Sequence, residues 1–271
     1  MRRALLLVGM LVLTAATGAR AQIAVAPGVA NSEPPLAPSD HAAETLYDPG
    51  AMAAARRQLA LEHGGGTYSM VMANIAEHDA GGDGYRWEGQ AWFGGDIDRF
   101  VVKSEGEGGR DGVDRAEVQG LFSRALGPYF NVQAGIRQDL RPRPARTYAT
   151  VGFEGLAPYW FEVSGALFLS NKGDLLGRLE SYYDQRITQR VILQPRVELN
   201  LAAQDVRETG TAAGLSDAEL ALRLRYEVTR QFAPYVGVSY DRKFGAAADF
   251  ARRAGERAEE TRVVVGVRAW F

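Results

Sequence analysis

The sequence of 271 residues contains no cysteine and only three histidines, His41, His63 and His78. Lacking cysteine, the chain has no disulfide framework, no thiolate metal site and no cysteine nucleophile, although an exported protein would permit disulfides. Because no histidine follows residue 78, a hydrolase with a histidine general base would depend on His78, and no serine stands beside it. An enzyme is therefore not expected. Long apolar runs are also missing: the longest, Ala4 to Ala16, falls short of the roughly 20 residues that a membrane-spanning helix needs. Net charge is small, with 31 basic against 33 acidic residues and no basic block, so nucleic acid is not an expected partner.

What is present begins with an export signal. Arg2 and Arg3 precede the apolar run, and Ala19-Arg20-Ala21 offers small residues where a signal peptidase reads, so residues 1–21 are expected to be a signal peptide cleaved after Ala21. Residues 22–66 read as a flexible periplasmic leader, with Pro27, Pro34, Pro35 and Pro38 set against regular structure. Within it one short helix is expected over 49–62: Asp48 is the N-cap, Pro49 takes the first helical position, and Gly64 to Gly66 are the stop.

From Thr67 the period of the pattern changes to two. Ala116, Val118, Gly120 and Phe122 alternate with Arg115, Glu117, Gln119 and Ser123, and Val191, Leu193, Val197 and Leu199 alternate with Arg190, Gln194, Arg196 and Glu198. A polar face this rich in charge meets water or matched charges, because burying it unpaired is costly. A soluble antiparallel sheet and a membrane barrel both satisfy that demand. The last residues favour the barrel: Val263, Val265, Val267 and Ala269 alternate up to a terminal aromatic, Phe271, and aromatics cluster at strand ends in Tyr159-Trp160-Phe161 and Tyr182-Tyr183. The expected fold is all-β, an antiparallel transmembrane β-barrel of about 12 strands over 67–271, an even number as closure requires, preceded by the short N-terminal periplasmic helix. Outer-membrane lipids are then partners, the N-terminal segment is periplasmic, and the barrel is expected to be monomeric. The loops 203–216 and 245–260 are long, whereas Gly127-Pro128 and Ala157-Pro158 are tight, which places the long loops outside.

Soft and borderline metal ligands concentrate at the start of the barrel. Under strict alternation Met70, Met72 and His78 share one face of the first strand, opposite Val71, Ala73 and Ile75. Thioether and imidazole together suit copper, while space filling is the other common use of methionine. Lumen pairs such as Arg115 with Glu117, Arg178 with Glu180, Arg196 with Glu198 and Arg223 with Glu227 read either as a conduction path or as mutual pairing that stiffens the wall.

The stretches KSEGEG (103–108), LFSRALGPYFNVQAGIRQD (121–139), GFEGLAPYWFE (152–162), LESYYDQRITQRVILQPRVELN (179–200), GLSDAELALRLRYEVTRQFAPYVGVSYDRKFG (214–245) and GVRAWF (266–271) closely resemble the copper resistance protein B family. The resemblance implies an outer-membrane protein of copper tolerance that binds copper weakly through Met and His near its N-terminus, beside a periplasmic multicopper oxidase. Many members carry a long Met- and His-rich extension, whereas residues 22–66 here hold only Met52, His41 and His63. The candidate copper ligands are therefore Met52, His63, Met70, Met72 and His78, enough for one site. Two other readings stay open, a structural or small-solute barrel without metal selectivity and a modifying enzyme using His78.

Overall fold

The computed structural model describes residues 41–63 and 66–271. The expected signal peptide, 1–21, and the leader up to residue 40 lie outside the described residues. The described residues fall into two units, divided between Arg56 and Arg57.

In the first unit Ala42–Thr45 makes one 3-10 turn, and helix α1, Pro49–His63, begins there and runs across the division at 56/57. Its start follows from the sequence as expected: the Asp48 carboxylate accepts the Ala51 N–H at 2.7 Å, and proline at the next position has no N–H to leave unpaired. Glu44 is ion-paired with Arg56 and lies 2.9 Å from His41 Nδ1, and these two partners hold its carboxyl below the usual carboxylate range.

The second unit is a closed antiparallel barrel of twelve strands. Strands β1 to β4 span Tyr68–Asp79, Tyr85–Gly94, Asp98–Gly109 and Gly112–Ala125. Strands β5 to β7 span Phe130–Arg141, Arg146–Ala157 and Phe161–Ser170. Strand β8, Leu175–Tyr182, breaks at Tyr183 and Asp184 and resumes for Gln185–Arg186. Strands β9 to β12 span Val191–Ala202, Gly214–Tyr226, Phe232–Lys243 and Glu259–Trp270. Each strand pairs with its sequence neighbour, and β12 returns to β1, with Met72 opposite Trp270 and Asp79 opposite Val264. At the seam Val71 and Phe271 exchange backbone hydrogen bonds of 3.0 and 2.9 Å, so the sheet has no free edge there.

The alternation places polar groups inside. Glu117, Gln119, Arg137, Arg196 and Arg223 are buried, while Val118, Phe122, Leu222, Val238 and Val263 stand exposed on the outer face. An exposed aliphatic belt around a charged interior is the reverse of a water-soluble sandwich and is the arrangement of a barrel whose outer solvent is lipid. Tyr159 and Trp160, both at φ 67, project from the turn between β6 and β7 at a strand end, where interfacial girdles lie.

The short turns 95–97, 126–129 and 158–160 lie at the end where β1 begins, called the turn end; 203–213 and 244–258 lie at the opposite, loop end. One element was not expected from sequence: helix α2, Gly245–Ala254, inside the second long loop. It buries Ala247, Ala248 and Ala251 and stops at Gly255 in the left-handed region (φ 81), whose N–H returns to Ala251 and Arg252.

Candidate functional site

The expected ligand set does not assemble on one face. Asn74 is an extra residue in β1: Ala73 pairs with Gly89 and Ile75 with Glu88, so a bulge reverses the parity of everything that follows. Met70 and Met72 precede the bulge and face the lumen beside Trp92 and Gln90. After it Ile75 and Glu77 turn inward and are buried, and His78 is exposed on the outer face, opposite Tyr85. The expectation that His78 shares a face with Met70 and Met72 is therefore corrected. Six residues further along a strand, His78 is also roughly 20 Å from Met72 along the wall. Met52 lies in α1, and the His63 side chain is outside the described residues. Among the described residues no group of three or more His, Cys, Asp or Glu is placed to hold a metal ion.

The lumen holds a cavity of about 400 Å³ toward the turn end, reached by Pro128 and Tyr129 of a short turn and lined by Met72, Gln90, Glu162 and Tyr182. Lys103 Nζ crosses part of it, donating to Gln133 Oε1 and Glu154 Oε2, both at 3.0 Å. The Met72 thioether accepts from Arg268 Nη2 at 3.6 Å. A guanidinium at that distance competes with any copper ion for the sulfur. Glu88, Glu105, Arg178 and Glu180 also line the cavity, and they belong to the layer that closes its inner side.

That layer is an ion-pair network spanning the barrel. Arg178 of β8 reaches Glu105 of β3 and, at 3.2 Å, Glu117 of β4, on the nearly opposite wall. Arg196 of β9 reaches Glu88 of β2 at 2.8 Å, and also Glu180 at 2.8 Å and Glu198 at 3.0 Å. Arg86 pairs with Glu219 and, at 3.3 Å, with Glu198. Arg223 pairs with Glu77 at 3.0 Å, and Arg137 joins Glu117 at 2.6 Å to Asp139 at 2.7 Å. Phe168 lies under the Arg137 guanidinium, 4.6 Å from it. Of the four pairs expected from sequence, only Arg196 with Glu198 forms as such; Arg115 pairs with Glu107, Arg178 reaches across the lumen, and Glu227 pairs with Arg186.

Residues 67–271 match the family described as Copper resistance protein B precursor (CopB). The Escherichia coli "Copper resistance protein B" is 46% identical over 187 residues, covering 69% of this chain and 63% of that protein. The "Copper resistance protein B homolog" of Pseudomonas syringae pv. tomato is 41% identical over 211 residues, 77% of this chain and 72% of the relative. This chain belongs to the copper resistance protein B family. It spans less than two thirds of the length of the Escherichia coli relative. Among solved structures it is similar to the NanC porin (TM-score 0.49, 15% identity, 74% of this chain and 99% of that one) and to the KdgM porin (0.43, 13%, 75% and 99%). The barrel itself is established by the closed strand pairing.

Within the copper resistance protein B match lie Met70, Met72, His78 and the whole lumen network; Met52 and His63 precede it. Alternation along a strand identifies which charges face inward but not which wall they reach. Thus Arg178 and Glu105, more than seventy residues apart, had no sequence signal linking them.

Proposed function

We propose that this protein is an outer-membrane barrel of copper resistance whose turn end faces the periplasm and receives copper ions in the lumen cavity. The family match carries the copper reading. The charge of the cavity supports it: Glu88, Glu105, Glu154, Glu162 and Glu180 outnumber Lys103 and Arg178 around it, so cations gain and anions lose by entering. Met72 supplies one thioether at this cavity, with Met70 on the same face. Binding on these groups is weak and exchangeable, suited to a cargo ion. A periplasmic multicopper oxidase is the partner this reading implies, and the role is not catalytic, since the one barrel histidine, His78, faces away from the lumen.

The test is growth of a deletion strain on graded copper, complemented with wild type or with Met70→Leu/Met72→Leu. Wild type is expected to restore tolerance and the double variant to restore less. If wild type fails to restore tolerance while envelope permeability to small solutes changes, the barrel serves small solutes without metal selectivity, the reading that its polar cavity also favours.

A further inference from the structure

The network between the cavity and the loop end has two properties that ordinary wall pairing lacks. It is anchored on nearly opposite strands, through Arg178 to Glu105 and Arg196 to Glu88, so its guanidiniums lie across the path along the barrel axis. On its far side it borders a space lined by Glu77, Arg86 and Arg262 of only about 10 Å³, the lower limit for a single water. A twelve-stranded barrel is narrow enough for side chains from facing walls to meet in this way.

From this geometry we propose that the Arg178 and Arg196 bridges form a closed gate that holds back small ions, and that the path they close is cation-selective. Selectivity follows from the inventory of the layer. The guanidiniums of Arg86, Arg137, Arg178, Arg196 and Arg223 face the carboxylates of Glu77, Glu88, Glu105, Glu117, Asp139, Glu180, Glu198 and Glu219, five positive groups against eight negative. Each arginine that swings aside leaves an acidic ring, the arrangement that passes cations and rejects anions.

The layer can also rearrange without losing every pair. Arg196 has a fourth carboxylate, Glu219, at 3.7 Å, and its Nη1 and Glu219 Oε1 are both buried without a hydrogen-bond partner. These are a donor and an acceptor already side by side, so the guanidinium can exchange its trans-lumen partner Glu88 for Glu219 on the adjacent strand β10 at low cost. That exchange removes one bridge and keeps the arginine paired.

The experiment is conductance of the refolded full-length barrel in planar bilayers under a potassium chloride gradient, with no copper present. It therefore stands or falls separately from the copper reading. Wild type is expected to be silent or to open only in rare steps. Arg178→Gln/Arg196→Gln is expected to give frequent steps, with a reversal potential displaced toward that of potassium. Folding is checked by the shift in gel mobility on boiling. Should that variant not fold, Glu105→Gln/Arg178→Gln, which removes one bridge without stranding either partner, carries the same expectation. Steady wild-type conductance, folded variants that stay silent, or openings selective for chloride would each overturn the gate.

Discussion

At Asn74 the wall of β1 gains one residue over its neighbour, and the side chain secures the bulge by donating to Glu88 at 2.7 Å. Strict alternation from Val71 would point Glu77 into lipid; the bulge instead brings it to Arg223 and to the Tyr235 hydroxyl, at 3.0 and 3.1 Å. Deleting Asn74 would flatten the bulge yet keep Ile75 and Glu77 facing inward, so the pair is tested by Glu77→Ala, which leaves the buried Arg223 without its closest carboxylate, a loss of roughly 3–5 kcal/mol. Unfolding in urea from lipid vesicles measures it, and Asn74→Ala, which keeps the bulge, should lose far less. The same geometry separates the copper ligands. In a copper titration of the refolded barrel, His78→Ala should leave affinity unchanged, whereas Met70→Leu/Met72→Leu should weaken it; a loss in His78→Ala would contradict the outward placement. The inward side of Met70 and Met72 was legible from period two, and the reversal after them had one overlooked signal: an acidic residue, Glu77, of the parity assigned to lipid.

Among the loops, the segment 203–213 between β9 and β10 shows how a connection is tied down. Val206 and Thr211 exchange backbone bonds of 2.8 and 3.1 Å, and Glu208 is ion-paired with Arg146 at the start of β6 and, at 3.2 Å, with Lys172 in the turn after β7. Hydrogen bonds from Arg146 and Lys172 hold the Glu208 carboxyl below the usual carboxylate range. A lowered folded-state value means that this tie is fully present above the ordinary glutamate pKa and is lost as pH falls through the folded one. Protection of the 206–211 amides, their exchange relative to the intrinsic rate at each pH, should therefore stay high at neutral pH and fall below about 4.3. Glu208→Gln should show the faster exchange already at neutral pH; equal exchange in both proteins would show that the loop is held otherwise. Strand positions were legible to within a few residues, because alternation repeats along the whole barrel. Helix α2 was not, because its Gly- and charge-rich frame reads as loop, although Ala246 to Ala248 and Gly255 are a helix former run and a stop.

Over the whole molecule, the surface that decides the solvent is the outer belt. Val238 sits at the middle of β11, exposed, between Leu222 of β10 and Val263 of β12, all three aliphatic and outward. A water-facing sheet would accept arginine there with little change. A lipid-facing one must bring the charge to the bilayer midplane, at about 2–4 kcal/mol. Val238→Arg is therefore expected to lower stability by that amount in vesicle-refolded protein, with the cost shrinking for the same substitution nearer a strand end, such as Phe232→Arg. A cost near zero at both positions would reject the membrane reading however well the strands close. The comparison also bears on the lumen. If the belt behaves as lipid-facing, the carboxylates and guanidiniums inside have no solvent but one another and the water of the cavity. Their pairing across the barrel is then a consequence of the same alternation that turns Val238 outward.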